Sequence, residues 1–156
     1  MKRGPAGLTA PPARDGSALQ ALAPVLAGTL WAMLEPATAA EVDRAIADDP
    51  TDDLVRFFVG RHGGRVRGCV GFRLVDRETA EMKRMFVDPA ARGTGGGAAL
   101  LAAVEEGAVS FGASAIRLDT RTDLVEARAL YAKHGYREVP AFNSDRYAEH
   151  WFEKRL

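Results

Sequence analysis

One cysteine, Cys69, stands in 156 residues. A single thiol cannot close an intramolecular disulfide or build a thiolate zinc site, so neither staple is expected. Histidine is as scarce: His62, His134 and His150 lie far apart and show no metal-ligand spacing. No metal is expected. Charge of one sign is not in excess either, because 21 Lys and Arg balance 21 Asp and Glu. The basic footprint of a nucleic-acid binder is missing. Long apolar runs are absent too. The stretch from Leu19 to Leu34 is interrupted by Gln20, Pro24, Gly28 and Thr29, short of the roughly 20 continuous residues of a membrane span. The opening Met1-Lys2-Arg3-Gly4-Pro5 lacks the apolar stretch of a secretory signal. The expectation is a soluble, cytoplasmic protein without membrane or nucleic-acid partners.

What is present is ordinary globular composition, 47% hydrophobic and 27% charged, at the length of a single domain. Residues 1–16, rich in proline and glycine, read as a flexible arm, and 17–156 as one domain. From Ser17 the apolar residues Leu19, Leu22, Leu26, Leu30, Met33 and Leu34 recur at helical spacing, weakened by Pro24. A second helix begins at Thr38 with Glu41 completing a capping box, and stops before Pro50. The period then changes to that of strands over 54–60, 66–75 and 80–87. The Arg61-His62-Gly63-Gly64 turn makes the first two a hairpin. A long helix over 95–111 carries the stripe Leu100, Leu101, Val104, Ala108 and Phe111. Strand 115–120, helix 124–134 with Gly135 as its stop, and strands 136–139 and 147–154 complete the chain. This order predicts a mixed α/β sheet with helices on both faces.

The segment with most chemical content runs from Met82 to Gly97. A strand ends at Val87, Asp88-Pro89 follow, and Arg92-Gly93-Thr94-Gly95-Gly96-Gly97 opens the long helix. The first turn of a helix has amides without partners and a partial positive charge, and glycines let an anion approach them closely. Arg92 adds a full charge. A bare flexible loop is the alternative reading. A P-loop is excluded because the helix opens with Gly97-Ala98-Ala99 instead of Gly-Lys-Ser/Thr. A dinucleotide fold is excluded because antiparallel strands come first.

The run Arg92-Gly93-Thr94-Gly95-Gly96-Gly97 resembles the Arg/Gln-x-x-Gly-x-Gly/Ala signature of the GNAT superfamily of N-acetyltransferases. Ala127-Arg128-Ala129-Leu130-Tyr131-Ala132-Lys133-His134-Gly135-Tyr136 is similar to its second signature, Ala-x-x-Leu-Tyr-x-x-x-Gly-Phe/Tyr. The resemblance covers about residues 54–139. Many members carry Asn near position 124, where this chain has Asp123-Leu124. The resemblance implies a GNAT-like, mostly antiparallel sheet whose fourth and fifth strands splay apart. It implies acetyl-CoA as donor, with backbone groups of Met85, Phe86 and Val87 pairing with the pantetheine arm. The pyrophosphate would rest on Arg92, Gly93, Thr94, Gly95, Gly96, Gly97 and Ala98, with Lys133 or Arg128 toward the adenosine phosphate.

The implied reaction is direct transfer of acetyl to a primary amine of a small molecule or peptide. The alternative is a non-catalytic acyl-CoA-binding domain, and a third reading is a glycine-loop nucleotide binder. Tyr131 takes the position of the tyrosine that protonates the departing thiolate; its other reading is a core aromatic. Glu81 is the candidate base on the strand before the loop, sharing a face with Lys83, Met85 and Val87 by simple alternation. Its other reading is an ion-pair partner that shapes the site. Cys69 is read as a buried, unreactive thiol. The acceptor and any homodimer are left open.

Overall fold

A computed structural model describes residues 31–34 and 54–156. The described chain folds as β1 (Ala32–Leu34), β2 (Arg56–His62), β3 (Arg65–Leu74), β4 (Thr79–Val87), a 3-10 turn (Pro89–Ala91), α1 (Gly96–Ser110), β5 (Ala115–Thr120), α2 (Val125–Lys133), β6 (Arg137–Glu138) and β7 (His150–Arg155). The strands form one seven-stranded sheet in the order β1-β2-β3-β4-β5-β7-β6. Every neighbouring pair is antiparallel except β4 with β5. That parallel pair is joined by α1, the crossover a parallel connection requires.

The two described helices cover one face and share one core. Leu100, Leu101, Val104 and Ala108 of α1 and Tyr131 of α2 pack with Phe58, Val70, Phe72, Met82, Ile116, Leu118 and Phe152 of the sheet. Leu100, Val104, Phe72 and Ile116 have no exposed surface. On the other face a smaller cluster joins Phe57, Val59 and Cys69, with Leu54 against it. The arm at 1–16, most of the first helical stretch and the capped helix after Thr38 lie outside the described residues.

Two expectations are corrected. Met33 and Leu34, read as the end of a helix, lie in β1, paired antiparallel with Gly60 and Val59. Ladder hydrogen bonds at the open edge of β2 outweigh a local preference that Pro24 and Gly28 had already weakened. The second correction is parity in β4. Gly71 lies opposite Lys83 and Cys69 opposite Phe86, so Arg84 and Met85 of β4 face Val70 alone across the ladder. This is a β-bulge, and the extra residue reverses the alternation beyond it. Met82, Met85 and Val87 all turn to the helical core. Glu81 and Lys83 therefore do not share a face with Met85 and Val87. Arg84 takes φ 61, a conformation side chains other than glycine seldom adopt. Its carbonyl accepts a hydrogen bond from the Cys69 thiol at 3.2 Å.

Candidate active site

The two central strands stay together for three residues only. Thr79, Ala80 and Glu81 pair with Ala115, Ile116 and Arg117. Past this point β4 continues to Val87 bonded to β3, and β5 continues to Thr120 bonded to β7. Among the described residues no ladder joins Met82–Val87 to Leu118–Thr120. The two strands part, and each presents one open backbone edge to the cleft between them. The bulge at Arg84 bends β4 within this segment, so the divergence has a local cause as well as a topological one.

The β4 edge runs into the glycine turn. Asp88 caps the 3-10 turn, its Oδ1 accepting from the Ala90 amide at 2.9 Å and its Oδ2 from Arg67 Nη1 at 2.8 Å. These contacts hold its carboxyl below the usual carboxylate range. Gly93 and Gly95 have φ of 77° and 91°, which only glycine adopts without strain. Gly95 is the N-cap of α1 and offers no side-chain oxygen, and no acidic residue follows in the first turn. The amides of that turn are left for an anion. Space around Gly93 and Gly95 is open, whereas a Cβ on Gly96 would overlap the Trp31 ring and one on Gly97 would meet Leu130. The loop glycines thus do two jobs: Gly93 and Gly95 set the turn, and Gly96 and Gly97 admit neighbouring side chains. Trp31 Nε1 donates to Thr94 Oγ1 at 3.0 Å, and Thr94 donates in turn to the Ala91 carbonyl. Arg92 folds back, its Nε donating to the Val87 carbonyl at 3.3 Å, with Glu126 of α2 3.7 Å from its Nη1. Arg128 is turned to the Thr122 carbonyl at 2.9 Å, and Lys133 is exposed.

Tyr131 is 5% exposed and packs against Tyr136 and Phe152. Its hydroxyl makes no hydrogen bond to a described residue. Burial, with the Asp119 charge adding to it, pushes its pKa up to about 12. The phenol therefore stays protonated near neutrality. Tyr136 is held by Glu105, its hydroxyl donating at 3.0 Å. Burial pushes the Cys69 thiol up to about 11 against the opposing charge of Arg84. That thiol is no nucleophile near neutrality.

Glu81 is 1% exposed, and its two oxygens are taken by three cations. Lys83 Nζ stands 2.7 Å from Oε1, Arg73 Nη2 3.1 Å from Oε1, and Arg117 Nη2 3.1 Å from Oε2. Burial alone would raise its pKa. Hydrogen bonding and charge from Lys83, with Arg73 and Arg117, outweigh burial and leave the carboxyl below its ordinary value. Lys83 shows the mirror image: burial works against its charge, and Glu81, Asp119 and Asp145 hold its pKa above the usual one.

Several of these residues carry no sequence motif. Lys83 lies 3.6 Å from both Asp119 and Asp145. Asn143 Nδ2 donates to Asp119 at 2.9 Å and to Asp145 at 3.2 Å, while its Oδ1 accepts from Trp151 Nε1 at 2.8 Å. Arg117 lies 4.1 Å over the Phe142 ring. The loop between β6 and β7 is thereby tied across the mouth of the cleft. Carboxylate oxygens of Glu81, Asp119 and Asp145 come within 4.8 Å of one another, and the cation they share here is the Lys83 ammonium. A signal did exist: Glu81-Met82-Lys83 and Arg117-Leu118-Asp119 carry opposite charges in the same order. It becomes legible only once β4 is placed parallel to β5 with Glu81 opposite Arg117. His150 meets Glu138 at 2.6 Å and Thr122 at 3.1 Å, tying β6, β7 and the turn after β5 together.

Comparison with known proteins finds relatives by sequence and by fold. The model of the acetyltransferase (GNAT) family matches residues 26–136. An IAA acetyltransferase of Azospirillum brasilense is 42% identical over 90 residues, 56% of this chain and 58% of the relative. The match thus spans little more than half of that relative's length. Among solved structures, a Klebsiella pneumoniae protein named as an acyl-CoA N-acyltransferase superposes with TM-score 0.68 at 29% identity, over 81% of this chain and 97% of the other. A GNAT-family acetyltransferase of Elizabethkingia anophelis with acetyl-CoA bound superposes with TM-score 0.62 at 18% identity, covering 81% and 97%. No helix among the described residues is long and apolar enough to cross a membrane.

Proposed function

Since the chain belongs to the GNAT family of acetyltransferases, we propose that it moves an acetyl group from acetyl-CoA directly to a primary amine of a small molecule or peptide. One observation carries the reading: the open β4 edge from Met82 to Val87 leads, through the 3-10 turn and the glycine turn, to a helix N-terminus that has neither a capping side chain nor an acid. An amide-rich arm can add to that edge as a strand would, and a pyrophosphate can rest on the turn beyond it.

Met85, Phe86 and Val87 then hold the pantetheine arm through their backbone. Gly93, Thr94, Gly95, Gly96, Gly97 and Ala98 receive the pyrophosphate with Arg92 beside it. The thioester carbonyl lies at the end of the arm remote from the glycine turn, where a backbone amide of the open β4 edge polarises it. Transfer requires an uncharged amine; its nitrogen attacks the carbonyl carbon, the C–S bond breaks, and the thiolate takes a proton from Tyr131. Of the two readings of Glu81, we carry forward the ion-pair role. A carboxylate with both oxygens occupied and its pKa lowered is a poor acceptor of protons. It holds Lys83 and Arg117 at the point where the strands part, and so sets the mouth of the cleft. No metal enters this scheme.

The experiment is calorimetric titration with acetyl-CoA, followed by thiol release across a panel of amines. Acetyl-CoA binding with amine-dependent thiol release supports the transferase. Binding without release to any amine supports the non-catalytic acyl-CoA-binding domain. Affinity for ATP or NAD with indifference to CoA would return the loop to a nucleotide site.

A further inference from the structure

An amine that attacks a thioester becomes cationic as the N–C bond forms, and a proton must leave it before the amide is complete. Glu81 is a poor acceptor for that proton, with both oxygens engaged. A second carboxylate stands where the strands part. Asp119 lies on β5 two residues beyond Arg117, the last residue of that strand to pair with β4. Lys83 lies two residues beyond Glu81 on β4, and its Nζ is 3.6 Å from Asp119 Oδ2. Asp119 is thus level with the end of the open β4 edge remote from the glycine turn, the end assigned to the thioester.

The faces of the sheet separate it from Tyr131. Ile116 and Leu118 of β5 pack in the helical core, so strand alternation turns Arg117 and Asp119 to the opposite face. Tyr131 belongs to the helical core. The two groups therefore reach the parted strands from opposite faces, Tyr131 on the side of the departing thiolate and Asp119 on the side open to an acceptor. They are close enough for the Asp119 charge to act on the phenol.

The Asp119 side chain is 17% exposed. Its Oδ2 accepts from Asn143 Nδ2 at 2.9 Å and faces Lys83. Its Oδ1 accepts no hydrogen bond from a described residue and is not sealed from solvent. Among the clustered carboxylates of Glu81, Asp119 and Asp145, Glu81 is fully engaged and Asp145, 56% exposed, stands in water on its loop. Asp119 combines shelter with a free oxygen. The charged groups around it are Lys83 and Glu81 of β4, Arg117 of its own strand and Asp145. On β7, neutral Trp151 lies opposite Asp119, and Glu153 lies opposite Arg117.

From this arrangement we infer that Asp119 is the base of the transfer. The uncharged amine attacks the thioester carbon from the Asp119 face. The new N–C bond makes the nitrogen cationic, and Asp119 Oδ1 takes one of its protons. The carbonyl re-forms, the C–S bond breaks with its electron pair going to sulfur, and the thiolate takes the Tyr131 proton. Water carries the proton from Asp119 back to the Tyr131 phenolate, leaving amide, free CoA and the enzyme as it began. Asn143, by holding Oδ2, keeps Oδ1 toward the cleft. The inference rests on the transferase reading above, and the following test separates the two.

Thiol release from acetyl-CoA is measured with methylamine, 2-phenylethylamine, glycine and phenylalanine, and the fastest acceptor is carried to two variants. Asp119→Asn keeps an oxygen for Asn143 but cannot take a proton. It should bind acetyl-CoA as wild type does, by calorimetry, with kcat/KM for the amine lowered about a hundredfold. Asp119→Ala leaves space beside the reacting nitrogen. Formate, a small carboxylate, should raise its kcat/KM about tenfold in a saturable manner and leave wild type and Asp119→Asn unmoved. A structural tie to the β6–β7 loop would not respond to formate. Wild-type kcat/KM in Asp119→Asn, or a folded Asp119→Ala that formate does not rescue, would overturn the base while turnover by wild type keeps the transferase. If the alanine variant does not fold, the asparagine variant decides by the same criterion. Wild type that binds acetyl-CoA and releases no thiol with any of these amines overturns the transferase, and the role of Asp119 with it.

Discussion

Replacing Glu81 by glutamine removes the buried carboxylate on which Arg73, Lys83 and Arg117 converge, while keeping its volume. Removing one partner of a fully buried ion pair costs roughly 3–5 kcal/mol, most of it for the charge left behind. Here the partners are not fully buried. The side chains of Arg73, Lys83 and Arg117 are 37%, 22% and 21% exposed, so water recovers part of the loss. Lys83 also keeps Asp119 and Asp145. The expected loss at pH 7 is therefore about 2 kcal/mol, and a chain of this size should melt about 4–8 °C lower.

The pH dependence has a definite sign. The folded Glu81 carboxyl titrates below its unfolded value, so its contribution is complete above the ordinary glutamate pKa of about 4.3. It is lost as pH falls through the lower, folded value. Denaturant melts of both proteins at pH 7, 5, 4 and 3 should show a constant gap down to about pH 5 that closes below it. The acidic limb of kcat/KM should survive in the variant and move with the pKa of the acceptor amine, because it belongs to the substrate. A variant as stable as wild type at pH 7, with kcat/KM down about a hundredfold and its acidic limb gone, would refute the ion-pair role and make Glu81 the base.

Gly95→Asp places a side chain at φ 91 and a negative charge where the pyrophosphate is assigned; acetyl-CoA affinity by calorimetry should fall about a hundredfold or more, and an unchanged affinity would remove the phosphate role of the turn. Tyr131→Phe should lower kcat by roughly ten- to a thousandfold with acetyl-CoA binding intact, and with the phenol near 12 wild type should show no alkaline limb from this group below about pH 11. An unchanged kcat, with chemistry shown to be rate-limiting by pre-steady-state thiol release, would return Tyr131 to core packing. Cys69, buried with its thiol near 11, should resist alkylation at pH 8 in folded protein and react only on unfolding; modification at the rate of an exposed thiol would contradict the burial of this face.

Local signals decided much of this protein from the sequence alone. α1 is bounded by Gly95 and Gly112, which supply the backbone conformations that start and stop it, and it was legible to within a residue at either end. β5, at Ala115–Thr120, matches its reading residue for residue, because a glycine precedes it and the alternation is clean. The glycine turn and the Leu130-Tyr131 pair pointed to the family for the same reason: both are short runs whose meaning does not depend on distant residues. What tertiary structure decided are the relations that cross the sheet. Ala32–Leu34 became a strand because β2 offered an edge to pair with. The bulge at Arg84 is invisible to a period-two reading, since an extra residue appears only against the partner strand. It separated Glu81 and Lys83 from Met85 and Val87, and it set Phe86 opposite Cys69. Lys83 found Asp119 across the parted strands and Asp145 from a loop. Such contacts depend on register and on loop closure over tens of residues, and a local pattern of side chains encodes neither.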